Sequence, residues 1–102
     1  MKLMTKAIEK LFVKIGDQSN VKDPTIVCKF FNPIGSATWY ATEYTPKDKV
    51  FFGYVTRMTN DEWGYFSLNE MQEIKLKFGL GIERDLYFKS KKFSDVNFVN
   101  RM

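Results

Sequence analysis

Hydrophobic residues recur with a helical period at the start of the chain. Apolar side chains fall at the i, i+4, i+7, i+8 and i+11 positions of one helix face, namely Met4, Ile8, Leu11, Phe12 and Ile15. Gly16 then provides a natural stop, and Lys14 suits the negative C-terminal end of a helix. The pattern predicts an amphipathic helix over about residues 3–15.

Three runs of β-branched and aromatic residues follow, at residues 25–31, 37–44 and 50–57. A polar stretch that ends in Asp-Pro, residues 17–24, precedes them and is typical of a loop. Because short polar turns join the three runs, they predict an antiparallel meander. Gly53 lies inside the third run, which indicates either a bulge or a ring packed against bare backbone.

A second helix is predicted from a capping box. Ser67 precedes Glu70 by three positions, so each side chain can satisfy a free backbone N–H of the first turn. We expect this helix to run to about residue 77 and to end at Gly79, with a buried side formed by Leu68, Met71, Ile74 and Phe78. Residues 79–88 predict a fourth strand, and a basic tail follows, either as a short helix from Ser94 or as an extension.

Together these elements predict one α+β domain over residues 1–102, with a core at about 3–88 and a basic C-terminal extension at 89–102. The expected architecture is an antiparallel sheet of three to four strands. The N-terminal amphipathic helix and the second helix pack on that sheet.

Composition excludes several classes of function. The chain has no histidine, which removes Ser–His–Asp and Cys–His catalysis and imidazole-bound metals. Its single cysteine, Cys28, lies in an apolar run and is expected to be a buried, inert thiol. No carboxylate spacing is typical of a metal site, so we expect no metal and no cofactor. Neither a signal peptide nor a membrane span is evident, which predicts a cytoplasmic protein without a membrane partner.

The net charge of +4 is concentrated at the two ends of the chain. The lysines that carry this charge form either a solvated surface or a stripe that contacts phosphate groups. They are Lys2, Lys6, Lys10 and Lys14 at the N-terminal end and Lys89, Lys91 and Lys92 at the C-terminal end.

Aromatic residues make up 17% of the chain, which is high. Strict alternation along the second run would put Trp39 and Glu43 on one sheet face, and Tyr40 and Tyr44 on the other. Phe52 and Tyr54 would join Tyr40 and Tyr44. This second face either packs under the helices or is exposed as a platform on which bases stack.

Two groups of charged residues are candidates for chemistry. Glu43 shares its strand with aromatic rings, and Glu83, Arg84 and Asp85 follow the second helix. Glu43 is interpreted as a structural ion-pair partner of Arg57 or Arg84, with ligand recognition or a general base as alternatives. The glycines at 79 and 81 lack the strand–turn–helix context of a phosphate loop and are better explained as helix termination.

Five ordered motifs resemble an uncharacterised domain family that is carried by plasmids, conjugative elements and phages, often near antirestriction genes. They are KFFNP at 29–33, TWYATEY at 38–44, FFGYV at 51–55, GYFSL at 64–68 and GLGIERD at 79–85. The resemblance covers about residues 3–88 and brings no established activity, so no functional residue is carried over. It implies a small intracellular accessory or counter-defence factor of a mobile element.

We therefore predict a non-enzymatic binding protein that inhibits a host protein, such as a nuclease or a defence complex, by occupying it. The expected binding residues are Trp39, Tyr40, Glu43, Tyr44, Tyr54, Glu83, Arg84 and Asp85. The alternative is direct binding of single-stranded DNA or RNA through the sheet aromatics and the terminal lysines. A less favoured alternative is an enzyme built on Glu43, Glu83 and Asp85. The sequence leaves the oligomeric state open.

Overall fold

A computed structural model describes residues 2–57, 60–96 and 98 of the chain. Two α-helices and seven strands follow one another along these described ranges. They are α1 (Lys6–Ile15), β1 (Thr25–Ile26), β2 (Cys28–Phe31), β3 (Thr38–Thr45), β4 (Val50–Thr56), β5 (Asp61–Ser67), α2 (Leu68–Glu73), β6 (Glu83–Arg84) and β7 (Lys91–Lys92).

The main sheet has five strands in the order β5-β4-β3-β2-β6. Strands β2 to β5 are consecutive antiparallel neighbours, which confirms the meander and the α+β class. The expectation of three to four strands is wrong because it took residues 59–62 as a loop. Of these, Asp61 and Glu62 begin β5. β5 is an edge strand, where charged side chains are tolerated and hide the apolar alternation.

The first predicted strand is divided between two sheets. The backbone N–H of Val27 donates to the Ala41 carbonyl at 2.8 Å, and β1 leaves the main sheet there to pair with β7. The predicted fourth strand is reduced to β6, which pairs with Phe30 and Phe31 of β2. Part of the basic tail thus forms β7, and a 3₁₀ turn follows at Phe93–Asp95. The rest of the short helix that was one of two expectations from Ser94 lies largely outside the described residues.

Helix α1 begins where a side chain caps it. The Thr5 hydroxyl accepts a hydrogen bond from the Ile8 backbone N–H at 3.2 Å, so the helix starts at Lys6 rather than near residue 3. Leu3 and Met4 precede it and are buried. The helix ends at Gly16, whose φ of +76° is the left-handed conformation that favours glycine.

One face of the main sheet, which we call the helix face, carries α1 and the core. Phe51 lies at its centre, and its ring centroid is 5.2 Å from those of Phe30 and Phe66 and 5.9 Å from that of Phe12. Several apolar residues of α1 pack against this core, namely Ile8, Leu11 and Ile15. The sheet is therefore held to α1 by the Phe12 ring together with three aliphatic side chains of the helix.

The capping box of α2 is confirmed at its first hydrogen bond, because the Ser67 hydroxyl accepts from the Glu70 backbone N–H at 3.2 Å. Leu68 and Met71 are buried as expected. The helix is shorter than predicted, however, and stops at Glu73, so Ile74 and Phe78 are exposed instead of buried. Ile74 is already extended, and Phe78 lies in a separate 3₁₀ turn at Lys77–Gly79.

Phe78 occupies a conformation that suits glycine. Its φ is +64° and its ring is 88% exposed, so the ring gains little packing for the backbone strain. We expect Phe78→Gly to raise the free energy of unfolding by about 0.5–1 kcal/mol, since glycine's greater entropy in the unfolded chain cancels part of the relief. Phe78→Ala keeps the strain and should change stability by less than about 0.5 kcal/mol. Urea unfolding measures both, and a glycine variant less stable than wild type would contradict this account of Phe78.

Cys28 is buried in the core, as its sequence context predicts. Burial raises the pKa of its thiol to about 12, so the reactive thiolate is absent near neutral pH. Across the described ranges, none of the helices has the length and apolar character needed to cross a membrane.

Candidate protein-binding cleft

A β-bulge in β3 decides which side chains share a face. Ala41 lies opposite Gly53, and Glu43 lies opposite Phe52, so Thr42 is an extra residue between them. The Thr42 hydroxyl donates to the Phe52 carbonyl at 3.1 Å. Beyond the bulge, the alternation of faces is reversed.

The bulge overturns the predicted facing of β3. Tyr44 packs on the helix face, where its ring is 4.8 Å from that of Phe51, and Trp39 packs against the same core. Glu43 instead lies on the face of Tyr40. A bulge does occur next to Gly53 of β4, but its extra residue, Thr42, lies on the neighbouring strand β3.

The face opposite α1, which we call the tail face, carries a second group of rings. Three rings of the C-terminal segment, Phe88, Phe93 and Phe98, cover part of it. The Phe98 ring lies 5.3 Å from Tyr40 and 5.5 Å from Tyr54, and the Phe93 ring lies 5.0 Å from Tyr54. Tyr40 is only 4% exposed as a result, so the predicted stacking platform is covered at this position.

Glu83, Arg84 and Asp85 make structural contacts far from Glu43 along the sheet. The Arg84 guanidinium donates to the carbonyls of Lys2 and Leu3 at 3.1 and 3.0 Å and so fixes the start of the chain. Asp85 forms an ion pair with Lys29 at 3.7 Å. Glu83 pairs with Phe31, at the end of β2 that is remote from Glu43. The structure therefore does not bring the predicted carboxylates together.

The predicted basic residues are all exposed, and the two sets lie on different parts of the fold. Lys2 precedes α1, while three others lie on that helix, at Lys6, Lys10 and Lys14. Lys89, Lys91 and Lys92 belong to the C-terminal segment, and the Lys91 ammonium lies 5.3 Å from the centroid of the Phe88 ring. The N-terminal set thus lies mainly along α1, and the C-terminal set lies within one short segment.

Where β3 extends past the end of β2, its free edge is bordered by α1 and the loop that follows it. A cavity of about 390 Å³ lies there. Its described lining contains three carboxylates and several apolar or aromatic groups near the sheet, and no lysine or arginine. The lining residues are Glu9, Phe12, Val13, Gly16, Asp17, Glu43, Tyr44, Thr45, Pro46, Val50, Phe52 and Tyr65. We call this cavity the acidic cleft.

A second cavity of about 260 Å³ adjoins the acidic cleft, and the two share Glu43 and Phe52. Its other lining residues include Val21, Lys22, Pro24 and Trp63. The two cavities together form a groove on either side of Glu43. Of its residues, only Glu43 and Tyr44 belong to the binding set predicted from the sequence.

Gln18 holds the loop that forms one wall of this groove. Its amide nitrogen donates to the carbonyls of Thr25 and Thr42 at 2.8 and 2.9 Å, and its amide oxygen accepts from the Thr25 N–H at 2.7 Å. Its own backbone N–H donates to a Glu43 carboxylate oxygen at 2.7 Å. Gln18 is a buried polar residue in a loop, and the sequence offered no signal for it because its partners are remote in the chain.

We expect Gln18→Ala to lower the free energy of unfolding by about 2–3 kcal/mol, because it removes the partner of a buried Thr42 carbonyl and of two half-buried backbone groups of Thr25. Asn20→Ala is the control, since Asn20 is exposed in the same loop. Its effect should stay within about 0.5 kcal/mol. Equal urea midpoints for the two variants would show that Gln18 does not anchor the loop.

The carboxylates of the acidic cleft form no ion pair with any residue that the structure describes, where the ion pairs are Lys29–Asp85 and Arg57–Glu62. The predicted ion pair of Glu43 with Arg57 or Arg84 is therefore not found among the described residues.

Two groups that line the cleft have shifted pKa values. Hydrogen bonds from the backbone and hydroxyl of Ser19, and a smaller effect of the neighbouring Glu43 side chain, hold the pKa of Asp17 below its ordinary value. Burial, and secondarily the charge of Glu9, raise the pKa of Tyr44. Asp17 therefore stays ionised, and Tyr44 stays neutral, at the pH of the cell.

A larger cavity, of about 460 Å³, lies beside residues 79–83. Its lining includes Leu3, Ile74, Leu80 and Glu83, and its charged groups are one lysine and one glutamate. Its described lining lacks the aromatic rings of the groove. No cluster of three or more cysteine, aspartate or glutamate side chains suited to a metal ion occurs among the residues that the structure covers.

A protein-family model matches this chain over residues 3–97, and its description is "Protein of unknown function (DUF2958)". Neither the curated proteins nor the solved structures contain a match to the chain. The comparisons therefore carry over no functional residue, and a function has to be inferred from the groove itself.

Proposed function

We propose that this chain, which belongs to the DUF2958 family of proteins of unknown function, is a non-enzymatic binding protein that docks a partner protein in the acidic cleft. The observation that carries the proposal is the exposure of apolar side chains at the cleft's mouth. Val13 is 76% exposed and Tyr65 is 79% exposed, and both line the cavity. Exposed rings beside a concave, partly apolar surface are typical of protein-interaction sites.

Binding accounts for this surface better than catalysis does. The chain has no histidine to act as a base, and its one thiol is buried in the core. Glu43 lies apart from Glu83 and Asp85, the other two candidate carboxylates. Tyrosine and tryptophan are among the residues that most often dominate the energy of protein interfaces, and the groove offers both.

In its biological setting, we propose that the protein serves a mobile genetic element as a counter-defence or accessory factor. It would act in the host cytoplasm by occupying a nucleic-acid-targeting protein, such as a nuclease or a defence complex. The gene context implied by the five sequence motifs and the small size of the chain support this setting. The mechanism is steric, because an occupied partner cannot engage its own target.

Site-specific photo-crosslinking in a bacterial lysate tests the docking surface. The variant Tyr65→p-benzoylphenylalanine puts the reactive group at the mouth of the cleft. A matched variant, Tyr87→p-benzoylphenylalanine, puts it on a ring that is 93% exposed but does not line the cleft. We expect a discrete crosslinked protein from position 65 only. No crosslinked protein, or the same product from both positions, would contradict the proposal.

Direct binding of single-stranded nucleic acid is the second candidate. It is favoured by the exposed Lys89, Lys91 and Lys92, which follow the exposed ring of Tyr87 in the C-terminal segment. It predicts that affinity for an oligothymidine, followed by fluorescence, falls steeply with salt and is reduced when the three lysines are replaced by glutamine. Absence of binding at about 50 mM salt would remove this candidate.

A further inference from the structure

We propose that the acidic cleft recognises an arginine- or lysine-bearing segment of the partner protein, with the cation held at Glu43. This inference deepens the proposed function and rests on it. It names the chemistry of the partner that the cleft accepts.

Charge complementarity is the first argument. The described lining of the cleft contains Glu9, Asp17 and Glu43 and no lysine or arginine, although the chain as a whole carries a net charge of +4. Glu9 and Asp17 are exposed and Glu43 is half-buried, so together they give the cleft a negative lining that is accessible from solvent. A cationic side chain of a partner complements this negative lining.

The aromatic lining supplies a second, independent argument. The rings of Phe52 and Tyr65 lie 5.0 Å apart at 64°, and both line the same cavity as Glu43. A guanidinium group can stack on an aromatic face while it donates two parallel hydrogen bonds to a carboxylate. Glu43 has one carboxylate oxygen fixed by the Gln18 N–H at 2.7 Å, so its orientation is set before a ligand arrives.

The shape of the groove favours a peptide segment over a free cation. The second cavity adjoins the cleft at Glu43 and Phe52 and adds Val21, Lys22 and Trp63 to the lining. Because Lys22 lines only the second cavity, we expect the cation of the segment to lie in the acidic cleft. A chain that extends across both cavities places one cationic side chain at Glu43 and apolar neighbours on either side. A small free cation would leave those apolar surfaces uncovered.

Nuclear magnetic resonance titration with two capped peptides tests the proposal. The first probe is acetyl-Leu-Arg-Leu-amide, and its neutral control replaces arginine with citrulline. We expect saturable shifts of the amides of residues 16–18 and 43–45 with the arginine peptide, and binding weaker by about tenfold or more with the citrulline peptide. Equal shifts with the two peptides, or no shifts, would overturn the proposal.

Two variants and one free cation complete the test. Glu43→Gln should weaken the arginine peptide by about tenfold, whereas Glu62→Gln, on a carboxylate outside both cavities, should leave it unchanged. Agmatine supplies the guanidinium without a peptide, and its tighter binding would contradict recognition of a protein segment. If crosslinking from position 65 persists while the arginine peptide fails to bind, the docking surface stands and this choice of partner chemistry is wrong.

Discussion

Gly53→Ala should destabilise the protein by about 3 kcal/mol or more, at or beyond the upper end of ordinary overpacking. A Cβ atom at this position would lie 2.0 Å from the Tyr40 carbonyl oxygen and 2.9 Å from the Ala41 Cα atom. Both are backbone atoms of the central strand β3, so a side-chain rotation cannot relieve the contact. The two strands would have to separate next to the bulge, where Thr42 and Phe52 also share a hydrogen bond.

Gly64→Ala is the matched control, because Gly64 lies directly opposite Gly53 in the pairing of β4 with β5. No atom of the described residues beyond its chain neighbours lies within 4 Å of the Cβ position at Gly64. Alanine there should leave stability unchanged or raise it by a few tenths of a kcal/mol, since glycine is costly in a strand interior. Urea unfolding compares the two variants, and a Gly53→Ala midpoint close to that of Gly64→Ala would refute the close approach of β3 and β4.

The parts of the fold that were predicted from the sequence are those encoded by neighbouring residues. The cap of α2 depends on Ser67 and Glu70, which are three positions apart. The meander depends on short turns between apolar runs, and the end of α1 depends on a glycine that can adopt a positive φ. In each case the interacting residues lie within one turn or one hairpin, so they are close enough in the sequence for the pattern to predict the interaction.

The facing of β3 could not be predicted in the same way. One extra residue, Thr42, exchanges the faces of Glu43 and Tyr44, and a period-2 pattern contains no mark of where it is interrupted. The glycine that indicated a bulge is on β4, whereas the bulge itself is on β3. The pattern thus indicates the place along the hairpin but not the strand.

The sequence pattern also did not predict that the C-terminal segment covers Tyr40 and Tyr54. Phe93 and Phe98 reach the sheet because β7 pairs with β1 and because Asp23 accepts hydrogen bonds from the backbone and hydroxyl of Ser94, at 2.9 and 2.6 Å. These partners are 71 residues apart in the chain. The basic composition of residues 89–102 suggested an extension, because composition carries no information about hydrogen bonds between residues so far apart in the chain.

The candidate site was predicted only at Glu43 and Tyr44. Asp17 and Gln18 belong to a loop that the sequence marks as polar and nothing more, and Tyr65 belongs to the strand that was not predicted. Had β5 been predicted, its pairing with β4 would have put Tyr65 next to Phe52 and indicated an aromatic surface at that end of the sheet. The missed strand therefore accounts for much of the missed site.

Phe51→Ala should lower the free energy of unfolding by about 3–5 kcal/mol, the usual cost of removing a fully buried ring when the surrounding core relaxes only in part. Phe51 has no exposed surface, and its ring contacts those of Phe12, Phe30, Tyr44 and Phe66. These four rings come from α1, β2, β3 and β5, so one truncation loosens every layer of the core at once. Such a loss is a large fraction of the roughly 5–15 kcal/mol that stabilises a typical domain.

Tyr65→Ala separates this scaffold from the contact surface. The Tyr65 ring is 79% exposed on β5, and its ring contact is with Phe52 across the strand pair, so its loss should lower stability by at most about 1 kcal/mol. The same variant should weaken partner binding by about tenfold or more, because an exposed tyrosine at a concave site is a typical anchor. Urea unfolding and binding of the captured partner, measured on both variants, decide the matter. If Tyr65→Ala destabilises the fold as much as Phe51→Ala, the exposed ring belongs to the scaffold and the cleft loses its anchor; if it spares the fold but leaves binding intact, the partner docks elsewhere.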